Sequence, residues 1–505
     1  MEWNCRKALR ASIAPGLALL GLAGCGRQPA SPLRLAAVAT APAPPAPPPL
    51  FVDAAKQAGL HYQWTIPGKR PLNILQTIGN GCAFLDYNND GNLDILLVGS
   101  KLALYQGDGH GHFTDVTHQT GLDTLSGHFL GCAVGDYDND GYDDIYLSGY
   151  GTGVLLHNEA GKGKRQKAKE GTASPPSPVP SPRVFRDVTQ EAGIKPQPWG
   201  TSATFFDADG DGKLDLYIGD YVQFGPHTQP QLCNYHGVMA GCGPTDYKPL
   251  HGVLYHNLGD GRFQNVTHAW GLDRVSGRTL GVAAAPFGPD SHPALAIAND
   301  ETPGDLIVMR GAKSQDIGVT SGIAYAGTQV YGGMGIDWGD YDNDGKLDLV
   351  IATYQNQGKL VIRNQGAAFA IQDTRQMGMF SSLTYVAFGA KWLDYDNDGW
   401  LDLLFANGHV EDNADQVSLM TIGGSTYRQP TVLYHNRQGQ RFEDTSAGLT
   451  AGAGRSIVGR GLAIGDYDND GKMDALVVDS EGKPLLLHNV TPHAGHWLLI
   501  NLIGT

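Results

Sequence analysis

Basic residues are scarce in this chain: 36 Lys and Arg stand against 51 Asp and Glu, for a formal charge of −15. That balance argues against a protein held to nucleic acid or to an anionic membrane surface by general electrostatic attraction. Long apolar runs are also missing. The best candidate, Ala11 to Ala23, falls short of the ~20 residues needed to span a bilayer, and Pro15 interrupts it. Reaction-bearing motifs are absent in turn: there is no Gly-x-Ser-x-Gly elbow, no His-Glu-x-x-His and no phosphate loop. Apolar residues, by contrast, are not lacking. At 41% of the chain, and patterned as strands, they exclude an acidic disordered polymer.

What the sequence does have is one acidic string, repeated. Asp340-Tyr-Asp-Asn-Asp-Gly-Lys-Leu-Asp348 places carboxylates at positions one, three, five and nine (Asp340, Asp342, Asp344, Asp348), with the backbone carbonyl of Lys346 at position seven. Their oxygens can converge on one hard cation, and Gly345 permits the sharp turn that closes the loop, as in EF-hand loops. Strand patterns flank the string in place of helices. Intact copies comprise Asp86, Asn88, Asp90, Asn92 and Asp94; Asp136, Asp138, Asp140, Tyr142 and Asp144; Asp207, Asp209, Asp211, Lys213 and Asp215; Asp394, Asp396, Asp398, Trp400 and Asp402; and Asp466, Asp468, Asp470, Lys472 and Asp474. These make six candidate Ca2+ sites. Nearly half of the acidic residues lie in the loops, so six divalent ions would offset most of the negative charge.

A seventh, degenerate unit at 281–300 keeps the strands but carries Pro286, Gly288 and Ala294 where carboxylates belong, and no ion is expected there. In the third unit, strand one is read as 200–207, strand two as 214–219, strand three as 253–257 and strand four as 263–267. Seven such units predict an all-β fold, a seven-bladed β-propeller. Up-and-down connectivity puts the acidic loops on one face and the loops between strands two and three on the other. The long loops 220–252 and 407–431, rich in Tyr, His and acidic residues, belong to that second face, where binding is expected.

The loops resemble the FG-GAP/VCBS repeats of integrin-type propellers. The strings Leu254-Tyr-His-Asn257, Phe263-Gln-Asn-Val-Thr267, Leu433-Tyr-His-Asn436 and Phe442-Glu-Asp-Thr445 resemble strands three and four of the cartilage-acidic-protein-like family, in which an ASPIC/UnbV domain usually follows. His496-Trp-Leu-Leu-Ile-Asn-Leu-Ile-Gly-Thr505 resembles only the opening of that domain, so 491–505 is read as a truncated segment of it. The propeller is read over 51–490. Its last unit lacks a strand four, and Phe51-Val-Asp53 resembles the missing strand, so the ring is expected to close by pairing Phe51 beside Leu485 to Asn489.

At the N-terminus, Arg6, Lys7 and Arg10 precede the apolar run, and Leu22-Ala-Gly-Cys25 resembles a bacterial lipobox. Residues 1–24 are thus read as a lipoprotein signal peptide, Cys25 as the acylated residue and 25–50 as a Pro/Ala-rich tether. The implied location is the cell envelope, at the outer membrane or cell surface. Such a compartment permits disulfides, and the family commonly has a cysteine pair where Cys233 and Cys242 stand, so a bridge is expected there; zinc is the alternative. Cys82 and Cys132, each four residues before its acidic loop, are read as buried free thiols. The insertion 159–183, with Lys162, Lys164, Arg165, Lys167 and Lys169 ahead of a Ser/Pro run and no interleaved aromatics, is read as a solvated, disordered loop.

The acidic loops are read as structural staples, with direct ligand bridging as the alternative. No catalytic constellation is found; His227, His236 and His409 are scattered, and Asn407-Gly-His-Val410 resembles a recurrent family string that shapes a loop or touches a ligand. The functional expectation is a calcium-stabilised, lipid-anchored binding or adhesion module for a glycan or protein partner. The alternatives are a calcium-dependent polysaccharide lyase or hydrolase, as in some related propellers, and a passive scaffold in an envelope complex. A buried, perturbed carboxylate in a central cleft would favour the enzyme.

Overall fold

The computed structural model describes residues 48–161, 182–275, 277–366, 368–418, 424–492 and 494–498. Residues 1–24, read above as a signal peptide, Cys25, nearly all of the segment read as a tether and most of the segment read as an insertion lie outside the described residues.

Seven antiparallel sheets, each with strand order one to four, make up a seven-bladed β-propeller. Blade five shows why these residues take these places. Its strand two, Asp348–Thr353, is buried at every position, whereas strand one, Gly333–Gly339, mixes buried and half-buried residues. An interior strand covered by sheets on both sides must be apolar throughout, and the run Leu349-Val-Ile-Ala352 meets that need. Strand four, Phe369–Ile371, buries chiefly its leading aromatic ring. Phe113, Phe263 and Phe442 repeat the pattern in blades one, three and six. Neighbouring blades then pack face to face, as where the Tyr341 and Trp392 rings stack at 5.6 Å between blades five and six.

Near the axis the inner strands approach so closely that only glycine fits at several positions. A Cβ on Gly281 would lie 2.0 Å from the carbonyl oxygen of Met334, and one on Gly335 would lie 2.2 Å from that of Phe388. Arg460 fills part of the centre. Its guanidinium lies 3.9 Å over the Phe388 ring and donates to the carbonyls of Thr77, Gly408, Gly459 and His409. Burial lowers its pKa to about 10.

The last blade closes as the sequence suggests. Phe51–Asp53 runs antiparallel to Leu485–Asn489, with Phe51 opposite Asn489, and Leu449–Thr450 adds a short parallel edge. Two ranges read from sequence shift. Glu159, Ala160 and Arg183, grouped there with the insertion, are strand residues, since Thr152–Ala160 pairs with Arg183–Asp187. Leu50, grouped with the tether, joins the ring through Leu50 N–H to the Gly448 carbonyl and Val490 N–H to the Leu50 carbonyl. Blade four keeps four strands across its degenerate loop, Thr279–Phe287 turning directly into His292–Asn299.

Candidate metal loops and candidate ligand cavity

On one face the six acidic loops share one geometry. The position-one carboxylate accepts two backbone N–H groups, from positions five and six: Asp340 takes those of Asp344 at 3.0 Å and Gly345 at 2.8 Å. Asp86, Asp136, Asp207, Asp394 and Asp466 do the same. The position-nine carboxylates, Asp94, Asp144, Asp215, Asp348, Asp402 and Asp474, are completely buried. Each accepts the N–H of position two on one oxygen and the N–H of a strand-three residue on the other, as Asp348 does from Tyr341 and Asn364. Burial pushes Asp94, Asp348, Asp402 and Asp474 up to about 7, and Asp144 and Asp215 to about 6.

Position four, unassigned in the sequence reading, links one loop to the next. In five loops it is an Asn with positive φ, at 54° to 58°. Asn343 Nδ2 donates to the Gly399 carbonyl and Asn397 Nδ2 to the Gly471 carbonyl, both at 2.9 Å, and Asn469 Nδ2 reaches Asn92 Oδ1 across the closure at 3.2 Å. Strand-three asparagines add a second set of links. Asn436 Nδ2 donates to the Tyr341 carbonyl and Asn489 Nδ2 to the Tyr395 carbonyl, each reaching back to the preceding blade.

The strand-three histidines were also missed as site residues. His157, His256, His435 and His488 stand with the position-three and position-nine carboxylates of their loops; His435 Nδ1 is 3.5 Å from Asp396 Oδ2 and 3.2 Å from Asp402 Oδ1. The signal was present in the recurrent Leu-Tyr-His-Asn strings, read there only as strand wording. Gln106 holds this place in blade one and Arg363 in blade five, where its Nε is 2.5 Å from Asp342 Oδ2. At position seven, Lys346 and Lys472 fold back onto the position-five carboxylate at 2.8 and 2.7 Å.

The donor set suits a hard divalent cation, with carboxylate oxygens from three or four positions per loop. A further feature fits one as well: Asp342 Oδ1, Asp396 Oδ1 and Asp468 Oδ1, all at position three, are buried without a hydrogen-bond partner. An oxygen withdrawn from water with no donor beside it is what a bound cation would satisfy.

The opposite face carries a cavity of about 1010 Å³. Its floor includes Met334 and Phe388, close to the axis, and its walls are connections between strands two and three, the short helix Ile74–Thr77, and Arg375 and Leu383 from the segment that joins blade five to blade six. The long 220–252 connection folds a hairpin, Leu232–Tyr235 against Val238–Gly241, whose turn residues His236 and Gly237 both have positive φ. A disulfide joins Cys233 to Cys242 at its open end. Three separate segments knit the rim together. Leu72 N–H donates to Asp412 Oδ1, Asn413 Nδ2 to the Met239 carbonyl, and Arg70 Nη1 pairs with Asp412 at 3.2 Å.

Inside, Tyr221 donates its hydroxyl to Asp300 Oδ2 at 2.6 Å and Tyr354 donates to Glu411 Oε2 at 3.2 Å. His409 Nδ1 lies 2.7 Å from the same Glu411 oxygen. Burial pushes Asp300 up to about 7 and Tyr354 well above its usual range, with Glu411 adding to the second shift. Of the scattered histidines, His409 lines the cavity, while His236 and His227 are exposed. Cys82 and Cys132 are free thiols on neighbouring inner strands.

A family model for FG-GAP-like repeats matches residues 86–147, 340–405 and 394–477. Cartilage acidic protein 1 of Xenopus tropicalis is 24% identical over 310 residues, 59% of this chain and 41% of that protein. The chain thus spans about two fifths of the length of this curated relative. Among solved structures, an Agrocybe aegerita lectin, described for its recognition of non-reducing terminal N-acetylglucosamine, is 14% identical; the match covers 80% of this chain and 86% of that one, with a TM-score of 0.41. BBS1N, solved in complex with ARL6DN, is 9% identical, with 88% and 98% of the two chains covered and a TM-score of 0.44. Seven sheets make this chain a seven-bladed β-propeller, and the segments 86–147, 340–405 and 394–477 within it match the model for FG-GAP-like repeats.

Proposed function

We propose that this chain is a binding module of the bacterial cell envelope, stabilised by Ca2+ in its six acidic loops, anchored through a lipid on Cys25 at the outer membrane or cell surface, and receiving a glycan or protein ligand in its cavity. The observation that carries the reading is the cavity itself, deep enough for a ligand of drug size and walled by long connections on a rigid ring. The loops on the other face act as staples in this reading, because each ties the ends of two strands together. The test is a pull-down from envelope and glycan extracts with the calcium-loaded protein and with Gly243→Trp. Gly243 lines the cavity in extended backbone, and a Cβ there would meet only Thr245 Oγ1, at 4.0 Å, so the indole should intrude on the ligand space without disturbing the fold. Capture by the natural chain that the variant loses is the expected result; equal capture by both overturns the assignment.

One observation favours a second reading, a calcium-dependent polysaccharide lyase or hydrolase. Asp300, pushed up to about 7 within the cavity, has the protonation behaviour of a general acid or base. Release of unsaturated or reducing ends from envelope polysaccharides, abolished by Asp300→Asn, would establish it.

A further inference from the structure

Carboxyl groups outnumber cationic side chains on the cavity wall. The hydroxyls of Tyr221 and Tyr354 are already donated to Asp300 and Glu411. Arg278, behind the wall, directs its guanidinium to the carbonyls of Glu301 and Tyr247. On the acceptor side, Glu301 makes no hydrogen bond or ion pair through its carboxylate among the described residues, and Gln355 Oε1 is buried without a partner. Glu301 is also held with a φ of 54°, a backbone state that side-chain-bearing residues seldom take, by its N–H to the Tyr331 carbonyl and by the Arg278 contact. Four carboxyl groups line the space, those of Asp246, Asp300, Glu301 and Glu411, against one guanidinium, Arg375, and the His409 imidazole. Burial raises the Tyr235 pKa, and the carboxylates of Glu411, Asp246 and Glu301 add to the rise.

We propose that the cavity recognises a primary ammonium group on its ligand, seated between the carboxylates of Glu301, Asp300 and Glu411 with the Tyr235 and Tyr354 rings beside it. An ammonium brings three N–H donors and no acceptor, the complement of this wall, and its charge is favoured both by the carboxylates and by aromatic faces. A quaternary ammonium would meet the rings but leave the carboxylate oxygens and Gln355 Oε1 unbonded, and a neutral sugar would leave the charge excess in place. Lysine side chains and unacetylated amino sugars both carry the required group. The inference rests on the cavity being the ligand site.

Isothermal titration of the full calcium-loaded chain separates these sources. The probes are a lysine-bearing peptide and its acetyllysine counterpart, a glucosamine tetramer and its N-acetylated counterpart, and tetramethylammonium. At least one free-amine probe should bind about tenfold or more tightly than its acetylated twin and than tetramethylammonium, and which one does so names the source. Glu301→Gln should weaken that probe about tenfold with an unchanged melting curve, whereas Asp260→Asn, a change at an exposed carboxylate outside the cavity, should not. Acetylated probes binding as tightly as the free amines, with binding lost in Gly243→Trp, would overturn the ammonium assignment and leave the cavity as the ligand site. Amine binding unchanged by Gly243→Trp would remove the cavity reading and this inference together. The absence of binding by every amine probe at 10 mM would also overturn it.

Discussion

The two faces of the ring bury carboxyl groups to a similar degree and differ in what surrounds them. On the loop face, Asp348 and its five counterparts sit beside the other carboxylates of their loops, and in three loops the position-three carboxylate keeps a buried oxygen without a hydrogen-bond partner. On the cavity face, Asp220, Asp300 and Asp305 are also pushed up to about 7 by burial, but none of them belongs to a repeated acidic loop. The same cost of removing a charge from water therefore meets two settings: nine-residue loops whose oxygens suit a metal cation, and a cavity face whose carboxyl groups come from separate blades. The loop face repeats one structure six times, whereas the cavity face is built of insertions that occur once.

The most severe way to break this contrast is to strip the Ca2+ proposed for the acidic loops. With Kd values of ~10⁻⁴ to 10⁻³ M, 10 mM Ca2+ should stabilise each occupied loop by roughly 1.4 to 2.7 kcal/mol. Chelation should therefore lower the melting temperature by a large margin, and Asp342→Ala should remove one ion from the stoichiometry while Asp290→Ala, in the degenerate loop of blade four, removes none. Identical melting curves for calcium-loaded and verified metal-free protein would end the contrast between the faces.

A control belongs to neither face. Phe51 is fully buried in the closing strand, so Phe51→Ala should cost about 3 to 5 kcal/mol in denaturant unfolding, with or without calcium. A loss that appears only in metal-free protein would tie ring closure to the loops.

Next in size is the cavity-face disulfide. Replacing both Cys233 and Cys242 by Ser should cost about 2 to 3 kcal/mol for so short a loop. It should weaken ligand capture while leaving calcium stoichiometry unchanged; a change in metal content would show the faces to be coupled.

A last test sharpens the comparison by sign. Asp220, 2% exposed, has a folded pKa of about 7 against an ordinary value of 3.8. The folded state therefore binds the proton more tightly than the unfolded one, and this contribution to stability is present below about pH 4 and lost as pH rises toward 7. Asp220→Asn, which keeps an oxygen for the Trp199 N–H, should flatten that part of the stability–pH curve. An unchanged slope in the variant would show that Asp220 ionises freely in the folded protein.

The sequence by itself determined whatever is local or periodic in the chain. The carboxylates of each loop lie within nine consecutive residues, so their convergence follows from a single tight turn. The strands announce themselves by repetition, and the match between Phe51-Val-Asp53 and the other fourth strands foretold how the ring closes. Only the tertiary structure decided what depends on neighbours distant in sequence. His435 meets Asp402 because strand three pairs beside strand two, 33 residues on. Asn343 bridges to Gly399 because blades five and six pack side by side, and no periodicity in either segment encodes that bond. The cavity is the extreme case. Asp300, Tyr354 and Glu411 come from three different blades, and Ile74 comes from the segment leading into a fourth; their separation is fixed by ring geometry, and their carboxyl-rich chemistry exists only where those segments meet.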